Sequence, residues 1–295
     1  MLVNQEVEPA ILMRSLVTIV RTVSIFYGQT PLLIIDEYDQ PLLSAHFYGF
    51  REKFSVFYTS FLGTVLKSNK HLYRSILTGI QRVAKESIFS KLNNLAVYTV
   101  LDGRFSSFFG LTEDETNQAL KDNSYDLNGE IRQYYNGYVF GNNEVYNPWS
   151  IISFLDSGII KSYWVNTSTN LLVKESILEA DIGFKRSFDK LILDGEVEQV
   201  VNLEASFVEL RETGTLWGLL VSAGYLTVVE VNHTTRLMTL KIPNAEAKSG
   251  FRTIVSQYAN LGDSALDKLN KKYFTLIKKP LYSPDMSVTF SGDKL

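Results

Sequence analysis

Cysteine is absent from the 295-residue sequence. Its absence excludes disulfides and thiolate metal sites, and fits an intracellular, cytoplasmic location. Histidine is scarce: His46, His71 and His233 stand far apart, which leaves no pattern for a histidine metal centre. An excess of positive charge is also missing. Lys and Arg number 29 against 32 Asp and Glu, a net −3, so nucleic acid is not expected as a partner. No uninterrupted apolar run approaches the ~20 residues of a membrane-spanning helix, so no membrane association is expected. Glu6 and Glu8 give the start of the chain a layout unlike that of a signal peptide. No internal repeat or low-complexity block occurs. What is present is 45% hydrophobic residues, enough for a packed core in one large or two ordinary domains.

The most informative stretch is PLLIIDEYDQPLL, Pro31 to Leu43. Leu32, Leu33, Ile34 and Ile35 form a branched apolar run between Pro31 and Pro41, which reads as a strand buried on both faces. It ends in Asp36 and Glu37, with Asp39 two residues on. Open α/β sheets bind ligands at the carboxyl ends of their strands. Four apolar residues followed by Asp-Glu is the Walker B pattern, in which the aspartate holds Mg²⁺ and the glutamate orients and deprotonates a water. The same pattern also fits a buried strand leaving the core through a charged turn.

Around this stretch the periodicity predicts a helix over 9–27, with Leu12, Leu16, Ile19, Val20 and Val23 on one face. Pro9 suits its first turn, and Gly28 with Pro31 stops it. A second amphipathic helix is expected over 50–67, with Phe50, Phe54, Phe57, Phe61, Leu62 and Val65 as an aromatic core stripe. Residues 71–80 read as a strand closing on Thr78-Gly79, with Arg82 and Lys85 just past its end, and 95–101 as a third strand. Thr112 to Glu115 is a capping box that opens a helix. Asn136-Gly137 and Gly141-Asn142 are turn signals, and Asn147-Pro148 is a helix start. Tyr134, Tyr135, Tyr138, Phe140, Tyr146 and Trp149 are expected to pack a small satellite core. Helices follow near 170–180 and 187–193, then a strand from Glu196 and a helix over Gly214 to Ala223. Tyr225–Val231 and Arg236–Ile242 read as a hairpin. A helix followed by a hairpin resembles a winged-helix unit, and fits a generic helix–hairpin pack equally. Residues 249–278 look helical, and the tail from Pro280 has no element.

Several separated motifs agree with one another: IDEYDQPL, TGIQRVAKESIFSKLNNL, FFGLTEDE, YYNGYVFG with YNPWS, YWVNTS, and LVSAGYLTV with KIPNAE. In this order, over roughly residues 9–250, they resemble the AAA-ATPase-like family often fused to a PD-(D/E)XK nuclease. The resemblance implies an α/β fold: a partial P-loop NTPase sheet of AAA-like type, then a helical lid and a winged-helix-like α+β segment. The corresponding divisions are 1–125 for the core, 126–195 for the aromatic-rich lid, 196–250 for the winged-helix-like segment and 251–295 for a terminal helix and tail. It further implies ATP and Mg²⁺ as cofactors, Asp36 as the metal-side acid and Glu37 as the catalytic, water-activating carboxylate. Thr78 would be a sensor-like, cofactor-binding residue, Arg82 a catalytic cation and Lys85 a cation facing the phosphates.

The sequence departs from the family pattern in one large respect. No G-x-x-x-x-G-K-[ST] occurs in it, so no loop of backbone N–H groups and no phosphate lysine is available, and the chain is expected to be inactive alone. In the resembled sheet, order 5-1-4-3-2, the chain supplies strands over 32–35, 73–78 and 97–101. Strand 1, between the last two, is missing, so the sheet is expected to be gapped or re-paired. A gapped sheet invites a protein partner or self-association through its open edge. The other reading is a non-catalytic protein-interaction module. Glu246-Ala-Lys248 has the E-x-K spacing of a magnesium nuclease, but Pro243-Asn244 interrupts the strand such a site requires.

Overall fold

The computed structural model describes residues 8–80, 95–166, 173, 176, 177, 179–203 and 213–251. They form a mixed helix–strand protein with three separate apolar cores.

The first core is built around the acid-tipped strand. Helix α1 (Pro9–Tyr27) begins at a proline and ends at Gly28, whose φ of 65° only glycine adopts freely. Strand β1 (Leu32–Ile35) follows, then α2 (Gln40–Phe47), α3 (Arg51–Leu66) and β2 (Arg74–Leu77). Strands β1 and β2 pair in parallel, Leu32 opposite Arg74 through Ile35 opposite Leu77. α1 and α3 pack on each other, with Leu16, Val17 and Val20 meeting Tyr58, Leu62 and Val65. The packed stripe of α1 is therefore rotated from the expected one, and Leu12 and Ile19 are exposed.

Two expectations for this sheet fail. β1 is not buried on both faces: Leu33, Ile35 and Leu77 face the core, while Leu32, Ile34 (64% exposed) and Ile76 face outward. Side chains alternate across a strand, and helices pack against only one face among the described residues. The expected third strand, Val97–Leu101, is irregular chain running into a turn. Val100 and Leu101 are drawn away to the third core, and the Val100 carbonyl accepts the Gly141 N–H at 2.8 Å. Among the described residues β2 pairs with β1 alone. The expected strand over 71–80 is confined to Arg74–Leu77.

The second core joins α4 (Glu113–Asp122), α5 (Gly129–Tyr135) and α6 (Pro148–Ser157) and takes in Tyr146, just past the hairpin of β3 (Tyr138–Phe140) and β4 (Asn143–Val145). Each helix start has a side chain that satisfies its free backbone donors: the Thr112–Glu115 capping box for α4, Asn128 for α5 and Asn147 for α6. Tyr135 and Tyr146 are fully buried, as the aromatic composition predicts, whereas Trp149 is exposed.

The third core contains α7 (Ile182–Asp194), β5 (Glu196–Val200), α8 (Thr213–Ser222), β6 (Thr227–Asn232) and β7 (Leu237–Lys241). The strands form an antiparallel sheet of order β5-β7-β6. Seven consecutive residues of α8, Thr215 to Val221, are buried around Trp217. Gly218 is required there, because a Cβ would collide with the Asn202 carbonyl. Residues 173, 176, 177 and 179 are helical, as are 245–251. The rest of the helices expected over 170–180 and 249–278, and the tail from Pro280, lie outside the described residues.

α1 is more apolar than the expected absence of a long apolar stretch allows. It is 19 residues long and contains an 18-residue window of mean hydropathy 1.5, which by length and composition alone is enough to cross a membrane. Arg14 and Arg21 interrupt its apolar run without lowering the mean much. Its inner stripe is accounted for by packing on α3, and the Met13 carbonyl accepts the Thr64 hydroxyl at 3.3 Å.

Candidate functional site

Parallel pairing brings the carboxyl ends of β1 and β2 side by side. The Thr78 N–H donates to the Ile35 carbonyl at 2.9 Å, and the Tyr38 N–H donates to the Thr78 carbonyl at 3.0 Å. These bonds carry the register past the strand ends and set Thr78 against Asp36. The Thr78 hydroxyl donates to Asp36 Oδ1, which also accepts the Glu37 N–H at 2.9 Å. Asp36 and Glu37 are exposed, Thr78 half-buried.

Glu37 has φ 50°, the left-handed region. A side chain there costs about 1–2 kcal/mol, which glycine would avoid. Such outliers concentrate at functional sites, where packing holds a strained backbone in place. Here the next residues are fixed firmly: Tyr38 and Asp39 are buried, and the Gln40 N–H donates to the Glu37 carbonyl at 3.0 Å to start α2. Helix α2 stands where the sequence pattern predicts no element. Pro41 lies in its first turn, a helix-start signal that the neighbouring strand reading obscured.

The structure thus brings Asp36, Glu37 and Thr78 to one edge. Arg82 and Lys85 lie outside the described residues. Among the described residues no cluster of three or more His, Cys, Asp or Glu forms a cage for a metal ion. The oxygen set at this edge suits Mg²⁺, which keeps several waters and takes one or two carboxylates.

Glu246 has a different setting. It is fully buried, with Oε1 accepting the Tyr163 and Trp164 N–H groups at 2.6 and 2.8 Å and Oε2 accepting the Ser150 hydroxyl at 2.7 Å. Burial pushes its carboxyl above the usual range, and the three donors oppose that shift in part. Every oxygen is engaged internally, so Glu246-Ala-Lys248 does not form an open metal site. Its role is to join α6, the 163–164 backbone and the 245–251 helix.

Residues 3–89 match the family described as predicted AAA-ATPase. Over 236 residues the chain is 29% identical to an uncharacterized protein in the vnfD 5′ region of Azotobacter chroococcum mcd 1. That match covers 75% of this chain and 42% of the relative, so the chain spans less than half the relative's length. No solved structure matches.

Proposed function

We propose, from the match of residues 3–89 to the predicted AAA-ATPase family, that the β1–β2 tips form the acid-bearing edge of a nucleoside-triphosphatase site. The observation that carries this reading is the strained Glu37 backbone beside an Asp36–Thr78 pair at adjacent strand ends. Asp36 Oδ1 is engaged by Thr78 and the Glu37 N–H, which leaves Oδ2 toward a hydrated Mg²⁺. Mg²⁺, when bound, would supply charge neutralisation for a phosphate. Thr78 fixes the rotamer of Asp36, and the exposed Glu37 carboxylate is the group to orient a water and accept its proton.

The donor set fits the metal but not the triphosphate. The sequence has no phosphate-binding loop, so this chain alone would bind ATP·Mg²⁺ poorly and hydrolyse little. Isothermal calorimetry tests this: the expected result is no saturation at millimolar ATP·Mg²⁺. Micromolar affinity would overturn it.

A second reading, a protein-interaction module, is favoured by the outward apolar face of Leu32, Ile34 and Ile76 beside strand edges that are unpaired among the described residues. The two readings are compatible if a protein segment that adds strands to this sheet also supplies the phosphate grip. We read the α7–β5–α8–β6–β7 unit as winged-helix-like. Its α8 has seven buried residues and no cation, so it serves as a core helix rather than a reader of DNA.

A further inference from the structure

Asp39 occupies the N-cap position of α2, where an aspartate ordinarily accepts a hydrogen bond from its own helix. It makes no such cap. Its backbone carbonyl accepts the Leu42 and Leu43 N–H groups at 3.1 and 3.0 Å, which starts the helix without help from the side chain. The carboxylate, with the residue only 5% exposed, turns to the other strand tip and accepts the Ile80 N–H through Oδ2 at 3.1 Å. Its Oδ1 lies so close to Gly79 that a Cβ there would sit 2.5 Å away, with the Tyr38 ring at 2.8 Å. Tyr58 of α3 closes the arrangement from below. Its hydroxyl donates to the Tyr38 carbonyl at 2.8 Å, and its pKa is pushed up to about 12, by burial first and by the Asp39 charge second.

Thr78 is therefore held on both sides. The Tyr38 N–H donates to the Thr78 carbonyl, and the Asp39 carboxylate accepts the Ile80 N–H two residues on. We infer that Asp39 is a positioning residue: by holding the Gly79–Ile80 backbone, it fixes the Thr78 hydroxyl against Asp36 and so pre-sets the Asp36 edge for a divalent cation. Gly79 is part of the same device, since only a residue without Cβ lets the buried carboxylate approach. This inference rests on the metal role proposed for Asp36.

Mn²⁺ binding to the full chain, read by electron paramagnetic resonance, tests it together with amide exchange at Thr78 and Ile80. Asp36→Asn should abolish Mn²⁺ binding. Asp39→Asn and Gly79→Ala should each weaken it about tenfold, as loss of an outer-shell partner does, and speed exchange at Ile80. Leu42→Ala, which damages the same α2 packing, should lower the melting temperature but leave Mn²⁺ affinity within about twofold, since it touches no outer-shell partner. Asp39→Asn and Gly79→Ala variants that keep wild-type Mn²⁺ affinity while Asp36→Asn loses it would overturn the positioning role and leave the metal reading intact. Mn²⁺ binding unaffected by Asp36→Asn would overturn the metal reading. Exchange at Ile80 would then still decide whether Asp39 holds the strand tip. An equal loss of affinity in Leu42→Ala would assign the effect to packing and also overturn the inference.

Discussion

The β1–β2 pair and the β5–β7–β6 sheet present opposite solutions for apolar strands in one chain. In the second, Val197, Val228 and Leu240 are buried against α7 and α8. In the first, Leu33, Ile35 and Leu77 are covered while Leu32, Ile34 and Ile76 are not, and α1 adds exposed Ile11, Ile25 and Phe26 nearby in sequence. The buried carboxylates follow the same division. Glu246 has its oxygens engaged by three donors within a closed region. Asp39 lies one layer behind two exposed acids, at the tip of an open sheet. The closed region has its polar groups engaged internally, and the open one leaves its acids and one apolar face exposed.

The largest expected effect lies in the closed core. Trp217→Ala should cost about 3–5 kcal/mol in denaturant unfolding, because α8 is walled in on all sides and cannot collapse into the cavity. Next is Glu246→Ala, which leaves the Ser150 hydroxyl and two N–H groups without an acceptor and should cost about 3 kcal/mol. The same residue has a pH signature. Its folded pKa is raised, so the native state binds the proton more tightly than the unfolded chain does. Its contribution therefore falls as pH rises from the ordinary glutamate value through the raised one. Thermal melts should show that decline flattened in Glu246→Gln. An unchanged slope would exclude Glu246 as its source.

On the open side the effects are smaller and one changes sign. Glu37→Gly should stabilise by up to about 1 kcal/mol, by removing a side chain from a left-handed position, while weakening the proposed site. Destabilisation in a chemical melt would show that Glu37 is held by contacts beyond its backbone. Ile34→Lys should change stability by less than about 0.5 kcal/mol, being an exposed position. It should nevertheless reduce any self-association seen by sedimentation. Equal association in both proteins would clear this face of that role.

Much of the element order was legible because its signals are local. The Thr112–Glu115 box, the Asn147 cap and the turn joining the expected strands Tyr225–Val231 and Arg236–Ile242 each act within a few residues, and each is present. The β1–β2 neighbours were legible from apolar runs ending at polar tips. What failed depended on partners distant in sequence. An apolar run such as Val97–Leu101 states that it will be buried, not where, and Val100 with Leu101 found the third core. The LLII run looked buried on both faces because its composition cannot report whether a second layer exists. At the site, Asp36, Glu37 and Thr78 could be placed from strand ends alone. Asp39 was noticed as a third acid, but its turn toward Ile80 depends on a contact 41 residues away.

Native-state amide exchange across the two sheets tests the contrast most directly. β7 is paired on both edges, so its amides at Leu237–Lys241 should exchange only through global unfolding. The paired amides of β1 and β2, each with a free edge among the described residues, should exchange at least about tenfold faster through local opening. Equal protection in the two sheets of the isolated chain would contradict the account, because it would show that the β1–β2 sheet is already complete and has no need of added strands.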